Sequence, residues 1–185
     1  MKPKVLILSG LYDFSTDLVC LRLKKLGVAF LRLNREHLHE FRFALNPTFP
    51  EMRITGHGLK AEISAELKSI WFRQPVFLRN TPSDVLSIEE QLNRSQWTAF
   101  LRSLSVFDSV AWMNWPQSTY LAESKPYQLL AAIRCGFKVP KTLVGNDATM
   151  FQKELQGDLI IKSLDTVYNT PQNLDKGKWC MVACQ

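Results

Sequence analysis

At 185 residues, 46% hydrophobic and 22% charged, the chain has ordinary soluble composition and can form one large domain, or one domain and the beginning of another. The formal net charge of +6 would suit an anionic partner, but the basic residues are scattered, with no run of them interleaved with aromatics, so nucleic-acid binding is not expected. The longest apolar runs, "VLIL" and "LLAAI", are too short to cross a bilayer; the run after "MKPK" is also too short for a signal peptide, so no membrane association is expected and the chain reads as cytoplasmic.

Val5 to Leu8 is a continuous apolar run of the kind found in buried parallel strands. A helix then starts near Ser15 or Thr16, whose hydroxyls can cap its first turn, with Asp17 complementing the dipole. Leu18, Val19, Leu21, Leu23 and Leu26 supply its apolar face, and Gly27 ends it. Val28 to Asn34 is the next strand, which completes a βαβ unit and begins a Rossmann-like sheet. "RFALN" and "EMRITGHGLKAEI" alternate apolar and polar residues about Gly56-His57-Gly58, the pattern of a β-hairpin inserted at the sheet edge. A free strand of that hairpin could accept an added peptide strand.

Ser69 to Pro75 predicts another buried strand, stopped by its proline. A long helix follows the start signal Pro82-Ser83-Asp84 and runs through Phe107, with Trp97, Phe100, Leu101 and Leu104 on its inner face. "SVAWMNWP" returns as a strand and closes an α/β domain over residues 1–116. From 117 to 165 come a connector and helix closing at Gly136, the strand "KVPKTLVGND", a helix start at Asn146 or Asp147, and the strand "DLIIKS". Residues 166–185 show no useful periodicity and read as an irregular tail.

The pairs Cys180 with Cys184 and His37 with His39 come from unrelated regions, so no metal site is read from them. Cys20 and Cys135, each inside a helical pattern, read as small buried apolar residues. Trp112 and Trp115, flanking Asn114, read as packing aromatics rather than a stacking site. Arg73 stands at the end of a central strand, where open α/β sheets bind ligands, which makes it a candidate for anion or interface contact. Asp13, Ser15 and Thr16 could face a domain interface after the first strand.

Three segments, "VLILSGLYDFSTDLV…LGVAFLRLN", "IWFRQP" and "MNWPQSTYLAESKPYQLLAAIRCGFKVPKTLVGND", resemble in order and spacing the ATP-grasp superfamily of carboxylate ligases. More narrowly, they resemble the graspetide (microviridin-like) peptide maturases that cross-link ribosomal precursor peptides. The likeness covers about positions 4 to 165. It implies an α/β fold in which a Rossmann-like pre-ATP-grasp domain with a β-hairpin insertion is followed by the start of an ATP-grasp lobe. It also implies a reaction in which a carboxylate takes the γ-phosphoryl group of ATP to give an acyl phosphate, and an amine or hydroxyl then displaces phosphate.

Phosphoryl transfer depends on positioning and on cations around the transferred group. By the resemblance, Lys125 at the start of the linker helix and Lys162 on the first strands of the nucleotide lobe approach ATP phosphates, and ATP with magnesium is the cofactor of an intact relative. Gln74 stands where the maturases usually carry a second basic residue after Arg73. The acidic residue and asparagine that hold magnesium late in such ligases find no match after Lys162, where Asp165 and Asp175 are the only carboxylates. No catalytic or metal-binding residue is therefore assigned. The expectation is the N-terminal part of a truncated peptide ligase, inactive alone. The alternative is a non-catalytic module that binds a precursor peptide or a partner synthetase subunit.

Overall fold

The computed structural model describes residues 1–73, 75, 77, 85–155, 157–164 and 181–184. The chain divides into two compact units, Met1–Thr119 and Tyr120–Gln185. The first holds β1 (Val5–Ser9), α1 (Phe14–Lys25), β2 (Phe30–Asn34), β3 (Arg42–Asn46), β4 (Glu51–Gly56), β5 (Leu59–Ile63), β6 (Ser69–Phe72), α2 (Ile88–Ser103) and β7 (Ala111–Met113). In sequence, α3 (Pro116–Glu123) runs across the division, and α4 (Lys125–Arg134), β8 (Thr142–Gly145), α5 (Ala148–Glu154), β9 (Ile160–Ser163) and β10 (Met181–Cys184) follow.

Four strands of the first unit form a parallel sheet in the order β2-β1-β6-β7. Its centre is apolar on both faces: Leu6, Ile7 and Leu8, which alternate sides along β1, are fully buried, as is Ile70 on β6. This is why "VLIL" reads as an unbroken apolar run instead of alternating.

The entry to α1 differs from the sequence expectation. The cap is Asp13, whose carboxylate accepts from the Thr16 amide at 3.3 Å, so neither Ser15 nor Thr16 fills that role. The helix is also rotated from the expected stripe. Leu18, Leu21 and Leu26 are exposed, Thr16 is buried, and Cys20 and Leu23 are half-buried. In this orientation Asp17 is ion-paired with Arg32 on β2.

The inserted β-element is a three-stranded antiparallel sheet, β3-β4-β5, separate from the parallel one. The expected hairpin is its β4–β5 half. His57 (φ 48°) and Gly58 (φ 73°) are both left-handed, the requirement of a type I′ loop between right-twisting strands. Trp97 and Phe100 of α2 pack on Phe43, with ring centroids 5.6 and 5.0 Å away. The start signal at Pro82-Ser83-Asp84 lies outside the described residues. The helix proper is capped by Ser87, which accepts from the Glu90 amide at 3.1 Å.

In the second unit, α5 is capped by Asp147, and its Phe151 together with Leu155, the residue just after the helix, is buried against Leu143, Leu159 and Ile161. Its sheet has the order β8-β10-β9, antiparallel throughout. The tail expected to be irregular thus supplies the central strand. "MVAC" is too short to show a period of its own, and its place is set by pairing with two partners far back in the chain. Cys135 is exposed, not buried, because it lies just past the last turn of α4.

Candidate functional site

Lys125 is the first residue of α4, preceded by extended Ser124 and followed by Pro126. A proline in the first turn costs nothing, since that amide has no helical partner. The Lys125 side chain reaches to Leu164, immediately past β9, and its ammonium donates to that carbonyl at 2.7 Å. Lys162, two residues earlier, is exposed on β9 opposite Val182. The local fold therefore brings the head of α4 to the end of the strand that carries Lys162, although the two lysines are 37 positions apart in sequence. An ammonium offers three donors, and the bond to Leu164 uses one. Among the described residues, no group of three or more His, Cys, Asp or Glu side chains is set to hold a metal ion.

In the first unit the C-terminal edge of the parallel sheet carries a polar network. Arg73 extends β6, its amide donating to the Leu8 carbonyl at 2.8 Å, while its guanidinium lies 2.9 Å from the Asp13 carboxylate. The charge of this candidate anion contact is thus committed to a carboxylate that also caps α1.

Arg32, which sequence reasoning counted only among scattered basic residues, organises this edge. Its guanidinium donates to Asn34 Oδ1 at 2.7 Å, to Ser9 Oγ at 3.0 Å and to the Gly10 carbonyl at 2.8 Å, and also pairs with Asp17. Glu36 accepts from the Leu11 amide at 2.9 Å and from Arg35 at 2.8 Å. Burial pushes the Glu36 carboxyl up, but its amide hydrogen bonds and Arg35 outweigh this and hold it below the usual carboxylate range.

His37 and His57 contact opposite oxygens of Glu40, at 2.8 and 2.9 Å, joining the I′ loop to the turn before β3. The hydrogen bond from His37 and the charges of the histidines lower the Glu40 carboxyl. Trp112 donates its indole N–H to the Phe107 carbonyl at 2.8 Å and meets Trp115 edge-on, with centroids 4.9 Å apart. This is a packing contact.

Neither family models nor curated proteins match the chain. Solved structures do. The macrocyclase MdnC bound with precursor peptide MdnA, from Microcystis aeruginosa MRC, superposes with a TM-score of 0.76 at 20% identity, covering 100% of this chain and 68% of that one. The fold is that of the ATP-grasp peptide ligases. The macrocyclase MdnB from the same organism gives a TM-score of 0.69 at 19% identity, covering 98% and 67%. A Chryseobacterium gregarium RiPP-associated ATP-grasp ligase, in complex with ADP and a leader and core peptide, gives 0.66 at 19%, covering 98% and 62%. The chain therefore spans about two thirds of the length of the ligases it resembles.

Proposed function

We propose that this 185-residue segment is the N-terminal portion of an ATP-dependent ligase that cross-links a ribosomal precursor peptide. In this reading residues 1–116 form a Rossmann-like pre-ATP-grasp domain, and residues 117–165 begin the nucleotide-binding lobe. The observation that carries it is the bond from the Lys125 ammonium to the main chain two residues beyond Lys162, in a fold shared with peptide-bound ligases.

Lys125 and Lys162 would hold ATP phosphates, acting as point charges against the phosphoryl oxygens. Lys125 would do so from the first turn of a helix, whose amides favour anions. Bound ATP would supply the phosphoryl group for an acyl phosphate on the peptide's carboxylate. The described residues give magnesium no carboxylate cage of their own, so no step is assigned through it. The segment alone is expected to be inactive.

An acyl-phosphate derivative of ATP, which acylates lysines beside the nucleotide's phosphates, tests the site. Labelling concentrated on Lys125 and Lys162 and suppressed by excess MgATP is the expected result; labelling spread over surface lysines refutes the assignment. Turnover of ATP with a peptide by the purified segment would refute its inactivity. The second reading, a non-catalytic module for a precursor peptide or a partner synthetase, is favoured by the exposed apolar residues Tyr127, Leu130 and Ile133 on α4. It predicts stable capture of such a partner without any nucleotide labelling.

A further inference from the structure

A cavity of about 380 Å³ in the first unit is lined jointly by α2 and the short 3-10 helix Arg35–Glu40 that follows β2. Its volume lies toward the lower end of the range for small-molecule sites, about 300–1,000 Å³. The contribution of α2 is one stripe of that helix, because Glu90, Asn93, Arg94 and Trp97 recur at the three- and four-residue steps that share a face. The 3-10 helix contributes Arg35, Glu36 and His39.

The polar lining is balanced in sign. Arg35 donates to Glu36 at 2.8 Å, and Arg94 donates to Glu90 at 2.6 Å. The Arg94 hydrogen bond, with Asn93 and the His39 charge adding to it, holds the Glu90 carboxyl below the usual carboxylate range, and Glu36 is likewise held low. Both ion pairs therefore stay charged at neutral pH, and each presents both signs to the cavity. The Arg35 and Arg94 side chains are 25% and 27% exposed, so a charged ligand group meets them where water screens less than at an open surface.

The cavity also has aromatic surface. Trp97 is half-buried and held by ring contacts to Phe43 and Phe100, with centroids 5.6 and 5.7 Å away, and Phe77 supplies a second ring to the lining. A ring fixed in this way offers a flat apolar body a preformed contact.

We propose that the cavity binds a small zwitterion with a flat apolar body, an aromatic α-amino acid. The ligand's carboxylate meets the guanidiniums, its ammonium meets Glu36 or Glu90, and its side chain lies against Trp97. The balance of signs decides against simpler ligands. A carboxylate alone would enter beside two ionised carboxylates, and an amine alone beside two guanidiniums; a zwitterion meets both with opposite charge. A wholly apolar ligand would strip water from both ion pairs and return no hydrogen bond.

Saturation-transfer NMR on the full chain tests this with L-phenylalanine, 3-phenylpropionate, which lacks the ammonium, and phenethylamine, which lacks the carboxylate. Phenylalanine should bind in about the millimolar range or tighter, and each analogue about tenfold more weakly or worse. Arg94→Gln and Glu90→Gln should each weaken phenylalanine binding by a similar factor. Asn93→Trp, at an exposed lining position, fills the cavity while keeping both ion pairs and should abolish binding, which keeps the test open if an ion-pair variant folds poorly. Absence of phenylalanine binding to the wild-type chain overturns the proposal. So does equal binding of either analogue, or binding that survives Asn93→Trp. Lys125 and Lys162 lie in the second unit, so this binding and the acyl-phosphate labelling succeed or fail independently.

Discussion

Replacing Arg32 by alanine removes the group that ties β1, β2 and α1 together at one end of the parallel sheet. Its side chain is 16% exposed, and it donates to Asn34, Ser9 and the Gly10 carbonyl. Hydrogen bonds involving a charged group contribute about 1.5–3 kcal/mol each when counted singly, but they share one side chain and cannot be summed. The Asp17 partner is 47% exposed, so solvent screening limits that ion pair to under about 1 kcal/mol. Ser9 keeps its bond to Asn34, at 3.0 Å, after the truncation, which removes the cost of a buried orphan. The net loss is about 3 kcal/mol, which lowers the urea midpoint by about 2 M for a slope of about 1.5 kcal/mol/M. Tryptophan fluorescence follows it well, because Trp71, Trp97, Trp112 and Trp115 all lie in the first unit. Arg32→Lys, which reaches fewer acceptors, should recover less than half. A loss under about 1 kcal/mol, or full rescue by lysine, would refute the reasoning.

Gly56→Ala should destabilise by about 2 kcal/mol or more, since a Cβ there would lie 2.7 Å from the Glu40 carbonyl and 2.9 Å from the Phe41 ring. Gly58→Ala, which meets nothing within 4 Å, should cost less in the same denaturation series. Glu36 has a lowered folded-state carboxyl, so its contribution is present above the unfolded carboxylate range and is lost as pH falls through the folded value. The stability gap between wild type and Glu36→Gln should therefore narrow on acidification, and a gap that widens below pH ~4 would reverse the sign. At mildly alkaline pH, iodoacetamide should modify exposed Cys135 well before Cys20, whose thiol burial pushes up, with Asp17 adding to the rise against the opposing Arg32. Peptide mass spectrometry would show the order.

Strand β1 was legible because burial on both faces leaves an unbroken apolar run, and the hairpin turn because Gly-His-Gly admits few other conformations. The face of α1 was not legible. Its leucines outnumber the residues that turn inward, and the orientation brings Asp17 to Arg32 on β2, a tertiary pairing that no local period encodes. The same limit applies to the candidate sites. Lys125 and Lys162 could be singled out from motif position, but that the Lys125 ammonium rests on the Leu164 carbonyl depends on tertiary closure. Arg73 was placed correctly at a strand end, while its pairing with Asp13 depends on a loop whose path the sequence does not announce.

The order of strands in the second unit constrains when that unit can form. Among the described residues, strands β8 and β9 do not neighbour each other; both pair with β10, the last of the three to be synthesised. Met181 must find Gly145, a separation of 36 positions, before the sheet exists. Closing such a loop costs entropy before the pairing can repay it. The second unit should therefore be the slower to fold, and a nascent chain ending before residue 181 would lack the strand that joins β8 to β9.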